Sequence, residues 1–231
     1  MSETPSPARE AAAAATAELI EPGMTIGLGS GRAVWRVIEL IHERWPEAPP
    51  LRAAVASEST QARAMEAGIE LVDLDESIEL DLAVDGADEV DPQLRLIKGG
   101  GGALLREKLV VAAARRFVVV AETTKRVDRL GEGFRLPVEV VRFAWPQTRA
   151  RVEALLPEPE LRVEEGEPYE TDEGHFILDC PLPADADLDE LDVALQRVPG
   201  VVEHGLFIGL AERALLGTPD GDVEELLAPA R

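Results

Sequence analysis

The chain has 231 residues, 45% of them hydrophobic, and carries 45 acidic against 23 basic side chains for a formal charge of −22 at pH 7. That apolar share supports a packed core and excludes a wholly disordered chain, while the charge excludes the nucleic-acid backbone or an anionic membrane as the main partner. No apolar run approaches the ~20 residues of a membrane span, no basic segment leads into an apolar secretory signal, and Cys180 alone makes neither disulfide nor zinc cage, so a soluble cytoplasmic protein is expected.

In chain order, residues 1–10 read as a polar, proline-broken tail leading into an alanine-rich helix at about 8–20, stopped by Pro22 and Gly23. A buried strand over 24–28 follows, then a glycine turn and an amphipathic helix at about 32–44. The pattern repeats: strand 51–56, helix 59–67, strands 69–72 and 80–84, a loop over 85–102, helix 103–115 and strand 117–121. Short apolar strands alternating with helices predict a parallel sheet covered on both faces. The texture breaks near Gly131, Gly133 and Pro137. Strands at 137–141, 161–163 and 175–179 then alternate with helices near 146–156 and 187–197, a small inserted α+β unit. From Val201 the chain returns to strand and turn and is expected to rejoin the first sheet. The organisation expected is a catalytic domain of residues 1–130 plus 205–231, with a small domain at 131–204.

Three segments carry candidate chemistry. In Gly27-Leu-Gly29-Ser30-Gly31-Arg32-Ala33, glycines allow a sharp β–α turn that points N–H groups and a helix N-terminus at an anion, and Arg32 adds charge suited to phosphate. A turn without a ligand is the plain alternative. The segment is no dinucleotide fingerprint, because Arg32 stands at the third glycine, and it lacks the Gly-Lys-Ser/Thr of a P-loop. Ser57, Ser59 and Thr60 follow the next strand at the same sheet edge, where an N-cap is the plain reading.

The second segment runs Asp81-Leu-Ala-Val-Asp85-Gly86-Ala87-Asp88-Glu89-Val-Asp91, a strand ending in a knot of carboxylates. Acidic turn residues and a Mg²⁺ or Ca²⁺ site are the alternatives, although the spacing is not that of an EF-hand; His42, His175 and His204 show no ligand spacing. The third is Lys98-Gly99-Gly100-Gly101-Gly102, running into helical Leu104–Lys108. Four glycines carry a heavy entropic cost, and flanking apolar segments argue against a linker, which leaves main-chain N–H groups closing on a ligand. Helical side chains lean toward the N-terminus, so Glu107 leans toward that loop; a surface carboxylate is its plain alternative. The chain has only three lysines, Lys98, Lys108 and Lys125, against 20 arginines. Lys98 and Lys125 lie beside its unusual loops and are the candidate cations. Few lysines on an acidic surface also suit a salt-rich cytoplasm; a GC-rich genome, which raises arginine over lysine, is the alternative.

The segments DLAVDGADEVDPQLRLIKGGGGALLREKLV and VVVAETTKRVDRLG, with the glycine turn at 27–31, PVEVV at 137–141 and the stretch 200–221, closely resemble ribose-5-phosphate isomerase of the A type, from about residue 8 to the C-terminus. The resemblance implies a Rossmann-like α/β domain with a smaller inserted, ferredoxin-like α+β domain. It implies interconversion of ribose 5-phosphate and ribulose 5-phosphate without metal or organic cofactor, by a homodimer or homotetramer. By resemblance Glu107 is the general base, Asp85 and Asp88 with Gly86 and Ala87 bind sugar oxygens, Lys98 with Gly99, Gly100 and Gly101 binds the reacting oxygens, and Lys125 binds substrate. The first loop departs from the usual Gly-x-Gly-Thr-Gly-Ser-Thr: Ser30 and Gly31 stay, but Arg32 and Ala33 replace two hydroxyls. Glu122 stands where aspartate is frequent. Two other classes remain in view: a sugar-phosphate-sensing module without catalysis, and a nicotinamide-dependent enzyme.

Overall fold

The computed structural model describes residues 6–229. Helix α1 (Pro7–Ala17) begins at Ser6, whose hydroxyl accepts the Arg9 N–H at 3.2 Å, with Pro7 preset for the first turn. The tail expected over 1–10 therefore ends sooner, since residues 7–10 are already helical; residues 1–5 lie outside the described residues. Next come β1 (Thr25–Leu28), α2 (Arg32–Arg44), β2 (Arg52–Val55), α3 (Glu58–Glu66), β3 (Glu70–Leu71) and β4 (Leu82–Asp85). Helix α2 buries Val34, Val37, Ile38 and Ile41, one face at helical spacing, each worth roughly 1.5–3 kcal/mol of apolar burial.

The segment read as a loop over 85–102 holds two short strands, β5 (Glu89–Val90) and β6 (Leu96–Ile97), before α4 (Leu104–Ala112) and β7 (Phe117–Glu122). A single 3₁₀ turn, Thr123–Lys125, follows β7. Then come β8 (Leu136–Val140), α5 (Trp145–Val152), β9 (Glu160–Leu161), β10 (Val163–Glu164), β11 (Glu167–Pro168), β12 (Phe176–Cys180), α6 (Leu188–Gln196) and β13 (Val201–His204). The chain closes with β14 (Leu206–Phe207), β15 (Arg213–Gly217) and β16 (Val223–Leu227). The strand expected over 161–163 is broken at Arg162: β9 pairs with β12, whereas β10 pairs with β11.

The large sheet has the order β16-β15-β7-β4-β1-β2-β3, parallel except for β16. β1 and β4 are buried along their whole length, as strands covered on both faces must be. The last segment does rejoin this sheet, through β15 beside β7. The order runs outward in opposite directions from the β1–β4 junction, the switch point where an open α/β sheet leaves a crevice at its strand ends.

A four-stranded antiparallel sheet, β13-β8-β12-β9, packs its core with α5 and α6. Numbered within the unit its strand order is 4-1-3-2, with a helix in each crossover, so this is the ferredoxin-like arrangement. A three-stranded sheet, β14-β6-β5, joins the two parts.

Candidate active site

At the switch point, β1 ends in Gly29-Ser30-Gly31 and β4 ends in Asp85. The two tips touch: Asp85 Oδ1 accepts the Ser30 N–H at 3.1 Å and the Gly86 N–H at 2.7 Å. Gly29 is required here, because a Cβ at that position would collide with the Asp85 carboxylate. Lys98, one residue past β6, is fixed by its own N–H on Gly205 O at 2.9 Å. Its ammonium donates to Gly86 O at 2.7 Å and stands 2.8 Å from Asp85 Oδ2 and 3.1 Å from Glu107 Oε2. Glu107 is the fourth residue of α4, and its side chain does turn back toward the glycine loop.

Asp85, Lys98 and Glu107 are 1%, 3% and 6% exposed. Their electrostatics follow from that dryness. Burial, and then the like charge of Asp85, push the Glu107 carboxyl up to about 8 against the opposing pull of Lys98. Burial also raises Asp85, with Lys98 and two main-chain N–H groups acting the other way. For Lys98 burial disfavours the charge, but Asp85 and Glu107 outweigh it and hold the ammonium protonated. The ammonium meets both carboxylates at ion-pair distance but off hydrogen-bond alignment, so Asp85 Oδ2 and Glu107 Oε2 have no aligned donor. Buried carboxylate oxygens left in that condition are costly to maintain and are available to a ligand or a proton.

Above this triad lies a cavity of about 330 Å³ lined by Ser30, Gly31, Arg32, Ala33, Gly86, Ala87, Asp88, Lys98, Gly99, Gly100, Gly101, Glu107 and Lys125. Of the residues given a role by resemblance, Asp85 alone is absent from the lining. It stands behind the wall and holds Ser30, Gly86 and Lys98 in place. Asp88 Oδ2 accepts the Gly100 N–H at 2.8 Å, and a Cβ on Gly100 would meet that same carboxylate. Ser57 caps α3, as its plain reading had it, and its hydroxyl also lies 2.9 Å from Ser30 Oγ; Ser59 reaches the cavity.

Sequence reasoning passed over Arg9, which lines the cavity and pairs with Glu122 at 3.0 Å. Being the single cation among the first 31 residues was the available signal. Arg9, Arg32 and Lys125 bring three further cations to the cavity lining of a strongly acidic molecule, beside Glu122. Lys108 turns away from the cavity, fastening α4 to β13 through Glu203 Oε1 at 2.7 Å and His204 O at 2.8 Å. Among the described residues no cluster of His, Cys, Asp or Glu has the makings of a metal site.

A Rossmann-like sheet that buries a carboxylate–lysine–carboxylate triad at a cavity lined by further cations defines an enzyme that moves protons on a small anionic substrate. The family model for ribose 5-phosphate isomerase A (phosphoriboisomerase A) matches residues 53–221. Ribose-5-phosphate isomerase A of Roseiflexus castenholzii is 49% identical over 219 residues, 94% of each chain, and that of a Synechococcus strain 47% identical over 92% of this chain and 94% of the relative. Among solved structures, ribose 5-phosphate isomerase A from Methanocaldococcus jannaschii superposes with a TM-score of 0.87 at 36% identity, covering 95% of this chain and 97% of its own. A D-ribose-5-phosphate isomerase in complex with phospho-erythronic acid gives 0.86 at 35% identity over 95% and 97%. The chain belongs to the ribose 5-phosphate isomerase A family.

Proposed function

We propose that this chain interconverts ribose 5-phosphate and ribulose 5-phosphate, with Glu107 carrying one proton between two adjacent carbons. The observation that carries the reading is a dry carboxylate, pushed up to about 8, facing a lysine across a floor of glycine main chain. With the sugar open, the Glu107 carboxylate takes the C2 proton, the C–H electrons form the C1=C2 bond, and negative charge develops on O1. Lys98 and glycine N–H groups stabilise that oxyanion in a site that needs no reorganisation. Glu107 then returns the proton to C1 while the O2 proton is relayed to O1; a base whose pKa lies near the working pH suits both directions. Asp88 is assigned to orient the hydroxyls and assist ring opening, and Asp85 to hold Lys98 and the Ser30 turn from behind.

Arg9, Arg32 and Lys125 are assigned to the phosphate, whose binding holds the reacting carbons in register. The relative solved in complex with phospho-erythronic acid supports a phosphorylated sugar as the ligand class, since that acid is a phosphorylated four-carbon sugar acid. Neither a sensing module nor a nicotinamide enzyme accounts for a buried Glu107 carboxylate that meets Lys98 without an aligned donor. The reading takes residues 1–130 plus 205–231 as the catalytic domain and 131–204 as the small one. It takes the working form as a cytoplasmic homodimer or homotetramer, with Phe143, 89% exposed on the small unit, as a contact.

The test is conversion of ribose 5-phosphate to ketose with and without chelator, for the native chain and for Glu107→Gln. Turnover should be indifferent to EDTA and should fall by about 10³-fold or more in the variant, while calorimetry still detects substrate binding. Near-native turnover in the variant would remove Glu107 from its role.

A further inference from the structure

The glycine loop is gripped from outside the cavity. Arg162 Nη1 donates to Gly99 O at 2.8 Å and to Gly100 O at 3.2 Å, and Tyr169 Oη donates to Gly101 O at 3.2 Å. Three consecutive carbonyls are thus held by two side chains of the small unit, more than sixty residues away in sequence. The guanidinium is itself fixed by Asp179 through a two-point contact, Nε to Oδ2 at 2.9 Å and Nη2 to Oδ1 at 2.5 Å. Arg162 sits at the break between β9 and β10, where the chain leaves one ladder for another, and this aims its side chain at the loop. The Tyr169 ring occupies the space that a Cβ on Gly102 would need. A second cavity, of about 500 Å³, is lined by Arg162 and Asp179 and shares Gly100 with the first.

In a trans peptide the carbonyl and the next N–H point in opposite directions, so fixing one edge fixes the other. Holding Gly99 O from outside commits the Gly100 N–H to Asp88, where it lies at 2.8 Å. Holding Gly100 O likewise turns the Gly101 N–H away from the guanidinium. Glycine resists none of these rotations by itself; within the loop the Gly102 N–H donates to Gly99 O at 3.0 Å, and the Gly100 and Gly101 carbonyls take their hold from Arg162 and Tyr169.

We propose that Arg162, seated by Asp179 and seconded by Tyr169, is a positioning residue for the reaction, clasping the glycine wall so that the Gly101 N–H and the Asp88 carboxylate, itself held by the Gly100 N–H, meet the enediolate. This rests on the isomerase reading above. The clasp does not touch the phosphate end, so its loss acts on turnover and leaves phosphate binding alone.

The experiment compares Arg162→Ala, Arg162→Lys, Asp179→Asn and Tyr169→Phe in the full chain. In Arg162→Ala kcat should fall about 10- to 100-fold with KM for ribose 5-phosphate and Ki for inorganic phosphate within about twofold, while affinity for phospho-erythronic acid falls with kcat. Lysine, a point charge without the planar fork, should restore little. Asp179→Asn should follow in the same direction, and Tyr169→Phe should lose about two- to fivefold. A purely structural role would lower the active fraction and leave both inhibitor affinities per active site unchanged, which overturns the proposal. So does kcat within twofold of native in Arg162→Ala. If that variant fails to fold, Asp179→Asn and Tyr169→Phe decide by the same criteria. A native chain that makes no ketose overturns the isomerase reading, and the clasp with it; a native chain that turns over while all four variants match it overturns the clasp alone.

Discussion

Glu89 and Glu107 are the same residue type, 2% and 6% exposed, on either side of the glycine loop. Glu89 receives three main-chain N–H groups, from Gly131 and Gly133 at 2.6 Å each and from Phe134 at 2.8 Å. Glu107 has a lysine off alignment and the like charges of Asp85 and Asp88 nearby. A carboxylate held on both oxygens by three fixed donors is a rivet: it ties β5 to the segment entering the small unit. A carboxylate deprived of donors is poorly stabilised as an anion, which is what a proton carrier requires. Burial does not separate structure from chemistry here; the count of aligned donors does.

The contrast can be broken most forcefully at the rivet. Glu89→Gln sets an amide NH₂ against main-chain donors and should cost about 2–3 kcal/mol in urea unfolding, with turnover per folded molecule within about threefold. Loss of turnover without loss of stability would make Glu89 part of the chemistry. A pH-dependent effect sharpens the other side. Glu107 goes from an ordinary 4.5 to about 8 on folding, so between those values the native state holds the extra proton. Its contribution to stability is complete below pH 4.5 and is lost as pH rises toward 8, a loss glutamine escapes. Glu107→Gln should therefore gain on the native chain by up to about 3 kcal/mol as pH goes from about 5 to 8, a trend read by thermal melts at stepped pH. A gap that narrows with rising pH would contradict the raised pKa. Least of all, Arg32→Ala at the exposed rim should raise KM about three- to tenfold with kcat unchanged. A fall in kcat at constant KM would take Arg32 away from the phosphate.

What the sequence disclosed follows the range of the interactions. Glu107 was legible because helix geometry aims a side chain at the turn before it, and Lys98 because lysine is scarce. Arg9 belongs to a segment whose proline-broken composition reads as tail, although Ser6 and Pro7 together start a helix. β5 and β6 have two residues each, too few to show a period, and they close against each other and against β14 from the far end of the chain. Arg162 and Tyr169 contact main chain, and glycine carbonyls leave no pattern in a sequence that would announce their donors.

The disposition of the lysines has a practical outcome. The Lys98 and Lys108 side chains are 3% and 15% exposed and engaged in ion pairs, while Lys125 is half-buried at the cavity rim. Apart from the α-amine, an acylating or imine-forming reagent meets one readily reached nitrogen, so modification stoichiometry doubles as a titration of occupancy at that rim. A fluorophore coupled there reports from the mouth of the pocket without any engineered cysteine.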